Sequence, residues 1–82
     1  MAEVKLTAQD HLVLTNLPFD LHRSSSWIAR ESGIRTSSPS ETAARHLIKL
    51  TKLGLAEKTG TRAYPRWMIS PAGRQLLARE AE

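Results

Sequence analysis

The chain has 82 residues, of which 40% are hydrophobic, and a net charge of +4, so we expect one compact domain spanning residues 1–82. It contains no cysteine, which excludes disulfides and thiolate zinc sites and is compatible with a reducing cytoplasm. No apolar run approaches the roughly 20 residues needed to cross a bilayer, and the segment with Glu3, Lys5 and Asp10 lacks the apolar core of a signal peptide. These features predict a cytoplasmic protein without a membrane partner.

The first predicted helix covers residues 8–17. Thr7 can cap its N-terminus, and Asp10 places a negative charge near the positive end of the helix dipole. Pro18 cannot continue the helix and therefore marks its end. Helical spacing predicts core positions for Val13, Leu14 and Leu17.

The second predicted helix starts within residues 24–26, where a serine hydroxyl can cap it, and ends at Ser32. Gly33 follows and can adopt the left-handed conformation that many helix C-termini require. We expect Trp27 and Ile28 to seat this helix in the core.

The third predicted helix, residues 39–53, has the clearest start signal. Ser38 supplies a hydroxyl N-cap, Pro39 stands at the first helical position and Glu41 at the third, which together predict a capping box. Gly54 suits the left-handed position after the helix. Residues four and three apart predict a buried face made of Ala43, Leu47 and Leu50.

The opposite face of this helix is polar and basic. Its residues are Thr42, Arg45 and Lys49, with Ser38, Ser40 and Glu41 near the leading end. Such a face suits insertion into a DNA major groove, because arginine can form two hydrogen bonds to guanine and hydroxyls can contact phosphates or base edges. We expect Arg45 to contact a base; its alternative role is a surface ion pair with Glu41.

Residues 55–59 and 64–69 predict an antiparallel pair of strands with a turn at residues 60–63. Core positions are predicted for Leu55, Trp67 and Ile69, and solvent positions for Lys58, Arg62 and Arg66. Arg62 at the tip suits a narrow minor groove or the flanking phosphates. Pro65 cannot donate a ladder hydrogen bond, which indicates an edge strand or an irregular strand start.

Ser70 and Pro71 predict the N-cap and first residue of a fourth helix, which runs through Arg79. Leu76 and Leu77 of this helix can pack on the core or on a second copy of the protein.

Three stretches carry a resemblance to a known family. Residues 28–34 read Ile-Ala-Arg-Glu-Ser-Gly-Ile, residues 45–50 read Arg-His-Leu-Ile-Lys-Leu before Leu53-Gly54-Leu55, and residues 67–74 read Trp-Met-Ile-Ser-Pro-Ala-Gly-Arg. In this order and spacing they resemble the MarR, ArsR and PadR-like winged helix-turn-helix regulators, although residues 34–38 are a longer connection than the tightest turns in those families. The resemblance implies a mainly α fold with a small antiparallel β-wing (α+β), in which a three-helix core is followed by a short C-terminal helix.

The resemblance also implies a helix-turn-helix over residues 25–53, with residues 39–53 as the recognition helix in the major groove. The wing, residues 55–69, would contact the DNA backbone or the minor groove through residues 58–66. We therefore expect a sequence-specific regulator of transcription, such as a repressor, that binds double-stranded DNA and changes promoter access. A homodimer is a further expectation, because many such proteins bind two half-sites.

Charge is distributed unevenly along the chain. Residues 42–66 hold six basic residues and one acidic residue, a net of +5, whereas residues 1–22 hold one basic and three acidic residues, a net of −2. Because the basic segment coincides with the expected recognition helix and wing, it favours phosphate binding over mere solubilisation. The expected DNA-binding residues are Ser38, Ser40, Thr42, Arg45, His46, Lys49, Lys58, Thr61, Arg62 and Arg66.

Other functions have weaker support. His11, His22 and His46 are scattered without zinc-site spacing, and no nucleotide-binding loop or catalytic set is recognisable, so we expect neither an enzyme nor a metal or cofactor. A protein-interaction module without DNA binding is the alternative function, because a fold does not decide a function. A third reading is binding of RNA or single-stranded DNA through stacking on Trp27, Tyr64 and Trp67.

Overall fold

Four helices and a three-stranded sheet make up the structure, a computed structural model that describes residues 6–81. The helices are α1 (Ala8–Thr15), α2 (Ser25–Glu31), α3 (Pro39–Lys52) and α4 (Pro71–Ala81). The strands are β1 (Arg23–Ser24), β2 (Ala56–Gly60) and β3 (Pro65–Ile69). Their antiparallel sheet has the order β1-β3-β2. The α+β class is confirmed, and the arrangement is consistent with a winged-helix-like layout.

Two sequence predictions, the lack of a signal peptide and the lack of a membrane-spanning segment, can now be compared with the described residues. Glu3 and Lys5, on which the predicted lack of a signal peptide rests, lie outside the described residues. Within residues 6–81, no helix has the length and apolarity that crossing a bilayer requires.

Side-chain caps begin three of the four helices. At α1, the Thr7 hydroxyl accepts a hydrogen bond from the Asp10 amide (3.1 Å) and the Asp10 carboxylate accepts one from the Thr7 amide (3.0 Å). At α2, the Ser24 hydroxyl accepts from the Trp27 amide (3.3 Å). At α4, the Ser70 hydroxyl accepts from the Gly73 amide (3.1 Å) and donates to the Gly54 carbonyl (2.6 Å). The predicted starts of these helices are therefore confirmed to within one residue.

The capping box predicted for α3 is wrong, although Ser38 is the N-cap and Pro39 begins the helix. Ser38 makes no side-chain cap hydrogen bond, and its ψ is 74°, whereas the capping residues Thr7 and Ser24 have ψ of 165° and 161°. A hydroxyl caps from an extended backbone, so the conformation of Ser38 turns its side chain away from the amides. The capping box of this protein is at Thr7 and Asp10 instead.

Helix α1 ends at Thr15, two residues before the predicted end at Leu17. Asn16 is the C-cap, and its side-chain amide donates a hydrogen bond to the Leu12 carbonyl (2.8 Å). Leu17 precedes Pro18, and a residue before proline disfavours the helical conformation. The helix therefore ends at Thr15, before it reaches Pro18.

The sheet differs from the sequence prediction in two respects. Strand β1, which was not predicted, pairs Arg23 with Trp67 and Ser24 with Arg66. Because β1 pairs with the second side of β3, β3 is the central strand, so of the two readings of Pro65 the edge strand is wrong and the strand start is the one observed. Pro65 is tolerated because it is the first residue of β3, opposite Gly60 at the end of β2.

One core cluster lies between the helices and the sheet. Its buried side chains include every core residue predicted for the first helix, the third helix and the two predicted strands: Val13, Leu14, Leu17, Ala43, Leu47, Leu50, Leu55, Trp67 and Ile69. Ile28 is fully buried, and Trp27 beside it is half-buried and packs against the same core, as expected of residues that seat α2. Leu76 and Leu77 of α4 pack against this core, which confirms one of their two predicted roles.

Candidate nucleic-acid interface

Beyond Pro39 at its start, the exposed residues of helix α3 lie in one line. Glu41, Arg45, Ile48 and Lys52, spaced four, three and four residues apart, are all exposed, and we call them the α3 stripe. Ala43, Leu47 and Leu50 on the other side of the helix are fully buried. The core therefore fixes which side of α3 an external partner can reach.

Arg45, the residue predicted to contact a base, lies on this exposed line. Among residues 6–81, the three ion pairs join other side chains, so the pair with Glu41 that was the alternative role of Arg45 is not formed. Lys52 is likewise outside those ion pairs, although sequence analysis did not select it. Its position seven residues after Arg45, two helical turns along the same face, was the signal that could have identified it.

His46 and Lys49 do not join the α3 stripe, because both reach towards α1, although the Lys49 side chain stays 43% exposed. His46 Nδ1 lies 2.5 Å from Asp10 Oδ1, and Lys49 Nζ donates to Asp10 Oδ2 at 2.5 Å. Asp10 is only 1% exposed, so these contacts occur at the junction of α1 and α3. Both residues were predicted to contact DNA, and in the structure each has Asp10 as a partner.

The Asp10 carboxyl keeps its negative charge in this junction. Burial alone would raise its pKa, but hydrogen bonds from the Lys49 side chain, the Thr7 backbone, the His46 side chain and the Thr7 side chain together hold the pKa of Asp10 well below its usual range. A charged Asp10 offsets the charge of Lys49. Among residues 6–81, the arginine and lysine side chains of α3 that lie outside ion pairs are therefore Arg45 and Lys52.

The three predicted hydroxyl contacts at the leading end of α3, Thr42, Ser40 and Ser38, have different surroundings. Thr42 Oγ1 donates to the Ser38 carbonyl (3.1 Å) and lies 2.9 Å from Thr36 Oγ1. Ser40 faces an open cleft of about 380 Å³ between α2 and α3, which is lined by Ser26, Ala29, Arg30, Ile34, Pro39 and Ser40. Ser38 is exposed. Of the predicted hydroxyl contacts, Thr42 has a structural role in the turn before α3.

Strands β2 and β3, with the tip at residues 61–64, form the hairpin. Residues paired across an antiparallel sheet share one face, so Lys58, paired with Trp67, lies on the core-facing side, and Arg66, paired with Thr59, lies on the outer side. Lys58 Nζ is 5.9 Å from the centre of the Trp67 ring, which is itself buried. The two predicted contacts Lys58 and Arg66 therefore lie on opposite faces of the hairpin, and a single phosphate cannot meet both.

The hairpin tip is closed by a local hydrogen bond. The Thr61 hydroxyl accepts from the Tyr64 amide at 3.0 Å, so this predicted DNA contact also shapes the turn. Gly60 has a φ of +89°, and a Cβ there would lie 2.4 Å from the Tyr64 carbonyl oxygen. The turn thus requires glycine, and it leaves Arg62 and Tyr64 exposed at the end of the hairpin.

The aromatic side chains do not form a stacking surface. Trp67 is 2% exposed, and Trp27 is half-buried with the Arg23 guanidinium 5.1 Å from its ring centre. Tyr64, at 77% exposure, and Phe19, at 70%, present their rings to solvent, but they lie in separate segments of the chain. Successive bases would need successive free rings, so this surface offers little for single strands.

Among residues 6–81, no cluster of three or more histidine, cysteine, aspartate or glutamate side chains has the arrangement of a metal site.

Comparison of the chain with protein-family models, with curated proteins and with solved structures finds no match. The features of this chain that bear on its function are therefore the α3 stripe and the hairpin.

Proposed function

We propose that this chain is a winged helix-turn-helix protein that binds double-stranded DNA with sequence preference and regulates transcription. One observation carries the proposal: the exposed side of α3 holds Arg45 and Lys52 without an internal acidic partner among residues 6–81, while its other side is locked into the core. A helix held in this way can enter a groove without exposing apolar core residues. In the proposed complex, α3 occupies the major groove.

The dimensions support this placement. Helix α3 has 14 residues, which corresponds to a length of about 21 Å. The major groove of B-form DNA is about 12 Å wide and admits an α-helix. Arg45 lies near the middle of α3 and Lys52 at its end, so Arg45 reaches a base edge while Lys52 reaches a phosphate.

The hairpin supplies the second proposed contact. It follows α3 directly, and its exposed basic residues are Lys58, Arg62 and Arg66. Arg62 at the tip contacts the minor groove or the flanking phosphates, where the negative potential attracts arginine. Lys58 and Arg66, on the two faces of the hairpin, contact the backbone on either side of it.

The charge that remains available also favours DNA. Of the six basic residues in the segment 42–66, Lys49 is bound to Asp10. Five basic residues and Glu57 remain, a net of +4. A basic surface on consecutive elements attracts the phosphate backbone from a distance and holds it on contact.

One observation favours the alternative function, a protein-interaction module. Phe19 is 70% exposed and Leu21 is 42% exposed, both in the segment between α1 and β1. Exposed apolar residues are common on soluble proteins when they stand singly, and they indicate an interface only as a larger patch. The basic α3 stripe and hairpin therefore favour DNA over a protein partner.

The proposal is tested by fluorescence anisotropy with a mixed-sequence duplex across a salt series, using a single strand and a polyanion as competitors. DNA binding by α3 predicts salt-sensitive binding that prefers the duplex over both competitors. Arg45→Ala tests the role of the helix, and Arg79→Ala on α4 is the matched control. Absence of binding at low salt, or equal competition by the single strand, would overturn the proposal.

A further inference from the structure

An isoleucine in the middle of the α3 stripe has no role in the core. Ile48 is 45% exposed, and it lies between Arg45, three residues before it, and Lys52, four residues after it. Residues three and four apart are neighbours on a helix surface. Ile48 thus places an apolar side chain between the two cations that we assign to DNA.

Helix propensity does not explain why position 48 holds an isoleucine. Isoleucine is β-branched and favours a helix less than leucine, lysine or arginine does. The core-facing side of α3 is already formed by Ala43, Leu47 and Leu50, which are fully buried. What distinguishes Ile48 from the other exposed apolar residues is its place between Arg45 and Lys52, where it can contact an apolar group of the ligand that these two cations bind.

The major groove offers one such group. Thymine alone among the four DNA bases carries a C5-methyl group there, and apolar side chains contact it. Along α3, Ile48 lies about 4.5 Å beyond Arg45, a distance comparable with the rise of about 3.4 Å per base pair. The two side chains therefore reach neighbouring base pairs.

We propose that Ile48 contacts the C5-methyl group of a thymine next to the base pair that Arg45 contacts. This inference rests on the proposed function, because it requires α3 to lie in the major groove. It makes Ile48 a residue that determines specificity, and it predicts a thymine within one or two base pairs of a guanine in the preferred site.

The experiment removes the methyl group from the DNA rather than from the protein. A preferred duplex is selected from random sequences with the unaltered chain, and each thymine is then replaced by uracil in turn. Uracil keeps every hydrogen-bonding group of thymine and lacks only the C5-methyl. We expect one such replacement, beside a guanine, to weaken binding about fourfold, the equivalent of about 0.8 kcal/mol for one buried methylene-sized group.

Protein variants then assign the methyl contact to its side chain. Ile48→Ala should bind the thymine duplex about fourfold more weakly and bind the thymine and uracil duplexes equally. Leu12→Ala is the matched control, because Leu12 has a similar exposure of 43% but lies on α1. It should keep the full preference for thymine. Thermal unfolding checks that both variants remain folded.

The outcomes separate this inference from the proposed function. Salt-sensitive duplex binding without uracil sensitivity, without a selected sequence, or with a uracil effect that persists in Ile48→Ala overturns the role of Ile48 and leaves DNA binding intact. A change of oligomeric state in Ile48→Ala, with the thymine preference retained, would assign the side chain to a protein contact instead. Absence of any duplex binding overturns both the inference and the proposed function.

Discussion

Lys49 of α3 donates a hydrogen bond to the buried carboxylate of Asp10 on α1, with Nζ 2.5 Å from Oδ2. The same carboxylate is 2.5 Å from His46 Nδ1 and accepts a hydrogen bond from the Thr7 amide at the start of α1. One acidic side chain therefore links the beginning of α1 to the middle of α3. This link sets the orientation of the helix that we assign to the major groove.

Replacing Asp10 should destabilise the fold. We expect Asp10→Asn to lower the free energy of unfolding by about 1 to 3 kcal/mol, because charge-assisted hydrogen bonds to a buried carboxylate are lost. Urea unfolding followed by circular dichroism measures the change. Asp20→Asn, at an exposed position, is the control and should change stability by less than about 0.5 kcal/mol. Equal stability of the two variants would show that the Asp10 junction contributes nothing.

The contribution of Asp10 should also depend on pH. Hydrogen bonds hold the pKa of folded Asp10 well below its usual range, despite the opposing effect of burial. A carboxyl with a lowered folded pKa stabilises the protein above its unfolded pKa of about 3.9 and loses this contribution as the pH falls. We expect the stability difference between the wild type and Asp10→Asn to be full near about pH 6 and to shrink below about pH 4. A difference that persists unchanged under strongly acidic conditions would contradict the assigned pKa direction.

Gly73 should tolerate no side chain. A Cβ at this position of α4 would lie 2.3 Å from the Leu55 carbonyl oxygen and 2.8 Å from Ile69 Cγ1. We expect Gly73→Ala to destabilise the protein by about 1 to 3 kcal/mol, because the crowded backbone must shift. Gln75→Ala, exposed on the same helix, should be nearly neutral. Thermal unfolding of the pair tests the prediction, and an equally stable Gly73→Ala would mean that α4 can move away from the Leu55 backbone freely.

Two lysines on α3 should affect DNA binding differently. Lys49 is bound to Asp10, whereas Lys52 is on the α3 stripe. If Lys52 contacts a phosphate, Lys52→Ala should reduce the slope of log affinity against log salt by about 1, whereas Lys49→Ala should leave the slope nearly unchanged. Anisotropy titrations at several salt concentrations measure both slopes. The reverse order would mean that Lys49 leaves Asp10 when DNA binds.

Arg62 at the hairpin tip should contribute affinity without sequence preference. Arg62→Ala is expected to weaken binding to all duplexes by a similar factor and to reduce the salt slope by about 1. Arg45→Ala should instead weaken the selected duplex by about 1 to 3 kcal/mol and relax specificity at one position. Comparing selected and random duplexes separates the two effects. An unchanged salt slope for Arg62→Ala would remove the tip from the DNA contacts.

Much of the fold could be predicted from local patterns. Pro39 and Gly54 bracket α3 because proline suits the first helical position and glycine suits a φ of +77° after the helix. The apolar spacing of Leu47 and Leu50 identified the buried side of the same helix. These features depend on residues close together in the chain, which is why the sequence alone suffices for them.

Two features that the sequence did not predict depend on contacts between distant parts of the chain. Strand β1 has only two residues, too few to show an alternating pattern, and it exists because β3 offers it a pairing edge. Similarly, helical spacing places Lys49 near the exposed side of α3, but it cannot reveal that Asp10, 39 residues earlier, attracts the side chain. For this reason the sequence could not predict that His46 and Lys49 contact Asp10.

The most direct test of the central claim is a nuclear magnetic resonance titration of the isotope-labelled chain with a short duplex. If α3 enters the major groove, the largest chemical-shift changes should fall on Arg45, Ile48, Lys52 and the hairpin tip around Arg62, while the exposed segment around Phe19 remains unchanged. The duplex is added at low and then at higher salt, so that weak electrostatic contacts can be separated from the specific surface. Changes confined to the Phe19 segment, or no changes on α3, would contradict the account.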